Sequence, residues 1–151
     1  MTINVELLRE TLEYVTTHRD QWDQSYWLQR TWCGTTACFA GTVALNAGYR
    51  PVTSWPNQRN VTYVRKDNEV RSVRDVACEL LGLSESQSDP LFGYGATLLE
   101  LWTYARDLTD GAIEVPASIL AEVLDQTLTL ANAAELEERI RKGRQRDYQL
   151  A

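Results

Sequence analysis

Histidine is almost missing from this chain, with His18 the single one in 151 residues. Imidazole is the side chain most often used as a general base near neutral pH. Any mechanism that needs such a base downstream of residue 18 therefore has none to use. Cysteine stands at three, Cys33, Cys38 and Cys78, and an odd count argues against a disulfide framework. Reduced thiols fit the cytosol. No stretch approaches the roughly 20 apolar residues that span a membrane. Residues 1–6 also lack the basic-then-apolar order of a secretory signal. A cytoplasmic protein without membrane attachment is the expectation. Gly93-Tyr94-Gly95 has no Lys-Ser/Thr after it, so it is no phosphate loop. No repeat, low-complexity tract or Gly/Ser linker divides the chain. One helical domain over residues 1–143 is expected, followed by a flexible basic tail over 144–151.

Charge is present but unevenly placed. Residues 1–74 carry nine basic and seven acidic side chains, residues 75–138 one and thirteen, and residues 139–151 five and one. The acidic middle repels phosphates, so nucleic acid, a duplex above all, is not expected as a partner, and another protein is. That segment suits either a solvated helix face or a basic protein surface.

Periodicity predicts a mainly α fold, a helical bundle with a small β-hairpin around residues 61–73. Val5, Leu8, Leu12 and Val15 recur at helical spacing over residues 4–18. A second helix is expected from an N-cap at Thr35 to Gly48, with Ala37, Ala40, Gly41 and Ala44 as a small-residue stripe. Its nearly all-round apolar surface places it in the core. Residues 51–60, with Pro51, Pro56, Asn57 and Asn60, read as a loop. Residues 61–64 and 70–73 flank a polar turn and suit a hairpin. Ser72, Ser84 and Thr97 each start a helix, the second of them broken early by Pro90. Pro116 opens a further helix with Ile119, Leu120, Val123, Leu124 and Leu128 facing inward. Asn132 with Glu135 begins a last one that ends near Gly143.

The most distinctive segment is Trp32-Cys33-Gly34-Thr35-Thr36-Ala37-Cys38-Phe39-Ala40-Gly41. A cysteine at the mouth of a helix meets unpaired N–H groups that favour a thiolate and an oxyanion. This stretch resembles the nucleophile segment of papain-like peptidases. The resemblance makes Cys33 a candidate nucleophile, with Gln29, or Gln24, as the upstream Gln. Those enzymes use a His far downstream, and here His18 lies upstream, so a catalytic set of Cys33, Gln29 and His18 requires a permuted order. Zinc held by Cys33 and Cys38 needs two more ligands, and only His18 and Cys78 remain. Packing of the thiols is the simpler reading, and no metal or cofactor is expected. The aromatic passage Trp22, Tyr26, Trp27 and Trp32 is the candidate binding site. Tryptophans at a spacing of five do not share one helix face. They either wrap the buried helix or serve as interface anchors.

Taken in order, Asp23-Gln24-x-x-Trp27, Cys33-Gly34-Thr35-x-x-Cys38-x-Ala40-Gly41, Ala77-x-x-Leu80-Leu81-Gly82-Leu83 and Leu91-Phe92 resemble a family of small proteins from actinobacteria and their phages. Thirteen arginines against two lysines agree with a GC-rich genome. Thr42 departs from the family, which often carries Trp or a similarly large residue after the Ala-Gly. The family brings no established activity, so the resemblance implies an accessory protein and lends no catalytic residue. The expected function is a non-enzymatic protein-interaction role, phage-encoded and directed at host or defence factors. The alternatives are a thiol-dependent hydrolase or transferase built on Cys33, and an acidic mimic of nucleic acid.

Overall fold

The computed structural model describes residues 2–31, 34–53 and 58–150, with the side chains of Thr31 and of residues 144–150 outside that description. The chain divides into two compact units, Met1–Glu114 and Val115–Ala151. Among the described residues, six α-helices and two small antiparallel sheets make it mainly α with a small β component.

The first unit starts with α1 (Val5–Thr17), which Asn4 caps by accepting the Leu7 N–H at 3.1 Å. Its inward face is Leu8, Leu12 and Val15, each at most 1% exposed, as the 3–4 residue spacing demands. Each such side chain contributes about 1.5–3 kcal/mol by leaving water. A single 3-10 turn (Arg19–Gln21) follows. The chain then forms an antiparallel pair, β1 (Leu28–Thr31) and β2 (Gly34–Ala37), in which Gln29 lies opposite Thr36.

This pair corrects the expected start of the second helix. Thr35 is a strand residue, and α2 runs only over Phe39–Asn46, with Cys38 as its N-cap. The β-branched Thr35 and Thr36 fit a pleated strand, and their backbone groups are paired with β1, so they cannot cap a helix. Every residue of α2 from Phe39 to Ala44 is buried. The helix packs against α1, β2, α3 (Val73–Leu81) and α4 (Glu85–Phe92). Gly41 is where it runs closest to β1: a Cβ there would collide with the Trp27 carbonyl and lie 2.9 Å from the Ala37 Cβ.

The hairpin forms as β4 (Tyr63–Lys66) and β5 (Glu69–Ser72), joined through Asp67, whose φ of 55° is the positive value that tight hairpin turns need. A third strand, β3 (Arg50–Pro51), pairs with β4. It lies in the stretch expected to be loop, and its pairing with a distant strand has no local signature. Ser72 and Ser84 cap α3 and α4, the latter in a full capping box. Pro90 sits inside α4, which continues two residues beyond it before stopping at Gly93. Thr97 caps α5 (Leu98–Leu108). Gly82 ends α3 at φ 68°, and a Cβ there would meet the Thr2 carbonyl.

The second unit holds α6, one uninterrupted helix over Ala117–Leu150. The break expected at Asn132 is absent, because Asn132 lies inside a run rich in Ala, Leu and Glu whose helix propensity carries it through. The helix also passes Gly143 and reaches Leu150.

Replacing Gly41 with Ala forces α2 off the Trp27 carbonyl. The expected loss is about 1–3 kcal/mol, read from the midpoint of urea unfolding. A midpoint equal to that of the parent protein would show that the close approach is unimportant.

Candidate functional site

Gln24 is the polar centre of the first unit. It is 7% exposed, and all of its amide's hydrogen-bonding capacity is used. Its Nε2 donates to the Leu91 carbonyl at 2.9 Å and to the Gly93 carbonyl at 3.2 Å. Its Oε1 accepts from the Phe39 N–H at 3.0 Å and from Trp22 Nε1 at 2.9 Å. The Phe39 N–H is one of the free donors of the first turn of α2, so one side chain ties that turn to the end of α4. Such an amide has no donor left for an oxyanion.

Trp32 and Cys33 lie outside the described residues, so the proposed nucleophile is not placed. The remaining members of its set are. Gln29 lies on β1, opposite Thr36. His18 stacks on Tyr14 with ring centroids 4.0 Å apart, and its Nδ1 lies 3.0 Å from both the Tyr14 carbonyl and Thr17 Oγ1. Cys78 is partly buried on α3. Cys38 is buried at the start of α2, and its Sγ accepts the Gly41 N–H at 3.5 Å. Burial pushes this thiol up to about 11, against a partial opposing pull from the Gly41 and Ala40 N–H groups. The helix mouth does not produce a thiolate at Cys38, because desolvation outweighs the dipole. Among the described residues, no group of three or more His, Cys, Asp and Glu could hold a metal ion.

The described aromatic residues of the candidate binding passage are all partly buried. Trp22 is held by Gln24. Trp27 meets Phe92 edge-on, with centroids 6.0 Å apart and planes at 75°. The carbonyls of Tyr26 and Trp27 both accept the Cys38 N–H. The backbone of this passage thus lies against the start of the buried helix.

Two open surfaces escaped the sequence reading. The first is on α6, where Leu120, Leu124, Leu128 and Leu130 are 46%, 63%, 59% and 72% exposed. Three of the residues expected to face inward, Leu120, Leu124 and Leu128, thus face solvent. At about 100° per residue Leu120, Leu124 and Leu128 fall within about 80° of one another on one side of the helix, whereas Leu130 lies about 160° round from Leu128. Leu136 and Ile140 are 57% and 48% exposed. The other surface is a groove of about 980 Å³ along β3 and β4, lined by Arg50, Thr53, Gln58, Arg65, Lys66 and Asp67 among others. Its signal was present in the sequence: no carboxylate occurs between Asp23 and Asp67, while Arg30, Arg50, Arg59, Arg65 and Lys66 do.

Compared with models of known families, with curated proteins and with solved structures, the chain matches none.

The geometry at Cys38 has a pH consequence. The folded protein keeps the thiol proton above pH 9, where the unfolded chain loses it. Stability is therefore full below pH 9 and falls as pH rises towards about 11, by about 2–3 kcal/mol at the limit. Urea titrations of the parent and a Cys38→Ala variant should diverge in slope over this window. At pH 8, Cys38 should react with a thiol probe only after unfolding, and rapid reaction in the folded state would contradict its burial.

Proposed function

We propose that this chain is a non-enzymatic interaction protein, an accessory factor that docks another protein through the N-terminal half of α6. The observation that carries the reading is the row of Leu120, Leu124 and Leu128 on one side of that helix, 46–63% exposed. Burying a leucine contributes roughly 1.5–3 kcal/mol, so a row left in water is a standing cost that a partner removes. Contiguous apolar surface of this kind marks interaction sites, and an amphipathic helix laid in a groove is a recurring mode of recognition.

The charges around the row describe the partner. Glu122 and Asp125 lie among these leucines in sequence, and Glu135, Glu137 and Glu138 follow them. The fitting surface is an apolar groove edged by Lys and Arg. Among the described residues no helix is long and apolar enough to cross a membrane. The odd set of thiols agrees with a cytoplasmic protein. A phage-encoded factor that acts on host or defence proteins agrees with the sequence motifs. Against the thiol-enzyme reading stand the engagement of His18 with Tyr14 and the saturation of Gln24.

The test compares the parent protein with Leu124→Asp/Leu128→Asp as bait in the source organism, alongside light scattering. Both positions are exposed, so circular dichroism should show unchanged helix content. A protein retained by the parent should fall at least tenfold with the double variant. The reading fails if the parent retains no partner and does not self-associate, or if the variant retains the same partner equally well.

A further inference from the structure

The three-stranded sheet has one covered face and one open face. Alternation along β4 separates them: Val64 is fully buried, while Tyr63 is 55% exposed and Arg65 is also exposed. Residues directly opposite on paired strands share a face. Arg65 lies between Arg50 on β3 and Val70 on β5, and Tyr63 lies opposite Ser72. Val52, whose N–H donates to the Tyr63 carbonyl at 2.9 Å, continues the β3 pairing beside the ring. The open face thus presents Arg50, Val52, Tyr63, Arg65, Val70 and Ser72. Lys66 belongs to the other side: its Nζ donates to the Ala47 carbonyl at 2.8 Å and sits 5.5 Å from the centre of the Tyr49 ring.

Arg50 directly opposite Arg65 is an unfavourable pairing, because like charges at such positions repel. The sheet does not relieve it. Arg50 donates to the Tyr49 carbonyl, and among the described residues neither guanidinium has an ion pair. Elsewhere Arg9, Arg71, Arg74, Arg106 and Arg141 all have carboxylate partners. One carboxylate, Asp67 in the turn, also lines the groove. More cations adjoin the groove. Arg30 exchanges two backbone hydrogen bonds with Gln58, a lining residue, and exposed Arg59 follows it.

We propose that this face binds single-stranded nucleic acid, with Arg50 and Arg65 on phosphates and a base stacked on Tyr63. Tyr63 and Arg65 are two strand positions apart, about 7 Å, a distance one nucleotide covers with its base on the ring and its phosphate at the guanidinium. Val52 and Val70 widen the flat apolar area around the ring. Aromatic rings on an open sheet set among cations are how strands without fixed sequence are held. A duplex is excluded because its bases are already stacked and cannot reach the ring. An acidic peptide would satisfy the guanidinium groups but leave the ring uncovered. The repulsion from the acidic segment 75–138 fades over about 10 Å at 0.1 M salt, whereas residues 24–66 hold five cations and no carboxylate. This site is independent of the α6 docking surface.

Fluorescence anisotropy with labelled oligothymidylate and oligouridylate of about twenty nucleotides, in about 50 mM salt, tests it on the full chain. Binding of either strand with a dissociation constant in the micromolar range is expected, and the preferred strand tells DNA from RNA. The affinity should fall with salt with a log–log slope of about −0.7 for each phosphate held. Arg50→Glu/Arg65→Glu should weaken binding more than tenfold. Tyr63→Ala should weaken it about tenfold, and Tyr63→Phe should restore it. All three positions are exposed, and thermal melts confirm that the variants fold. Any of four results overturns the proposal: no binding of either strand; full binding by the double Glu variant; full binding by Tyr63→Ala; or displacement by polyglutamate as efficient as by unlabelled strand. The last would assign the face to an acidic protein.

Discussion

The Gln24 side chain determines how the first unit is assembled. A helix as apolar as α2 gains by burial, but burial takes its free N-terminal N–H groups away from water, where each unpaired group costs about 1–3 kcal/mol. Gln24 answers one of these at Phe39, and the Cys38 sulfur answers another at Gly41. The same amide binds the carbonyls of Leu91 and Gly93. The mouth of α2 and the end of α4 are thereby fixed to a single residue of the preceding loop. The aromatic residues beside it follow from this arrangement: Trp22 completes the amide's bonding, and Trp27 covers Phe92. A buried polar hub of this kind stabilises only when every member is satisfied, and Gln24 meets that condition.

The same constraint explains the two strands before α2. A cysteine-glycine-threonine run invites the image of a nucleophile at a helix mouth. Here the threonines are occupied in a β-pair, so the helix begins four residues later than Thr35. Gly41 then lets α2 descend onto the Trp27 carbonyl. Close packing of backbone on backbone leaves no space for a substrate at Cys38, which is 2% exposed. From Cys38 onwards the local shape of this segment serves burial.

The features legible in the sequence are those decided within a few residues. Asn4, Ser72, Ser84 and Thr97 are followed at the right spacing by the N–H groups they cap. The Leu8–Leu12–Val15 face is set by one helical period. Strand β3 depends on a partner supplied from elsewhere in the chain, and β1, although it pairs with the strand that directly follows it, has no alternating pattern long enough to announce it. Gln24 was indistinguishable from a surface glutamine until its four partners were brought to it. Helix α6 misled differently: Leu120, Leu124 and Leu128 have core spacing, yet they are 46%, 63% and 59% exposed. Asn132 resembled a cap because its neighbours suit one, but the helix was already formed when it reached that residue.

Charge links the fold to its two open surfaces. Arg71 and Arg74 precede or begin α3, and they take Glu79 and Asp89 as partners from the acidic half of the sequence. This pairing neutralises these cations on the hairpin's core side, whereas Arg50 and Arg65 on the opposite face have no ion pair among the described residues. Had Arg50 or Arg65 served stability, an acid would be expected across the strand, since cross-strand opposite charges contribute about 0.2–1 kcal/mol. The chain instead places valines, a tyrosine and a second arginine there. On α6 the reasoning runs in parallel, with exposed leucines where a solvated helix would carry Lys or Glu. In both places the sequence forgoes a stabilising choice that was sterically open to it, and the two surfaces differ in sign: one is acidic and apolar, the other basic and aromatic. Surfaces so different in chemistry do not suit one and the same ligand.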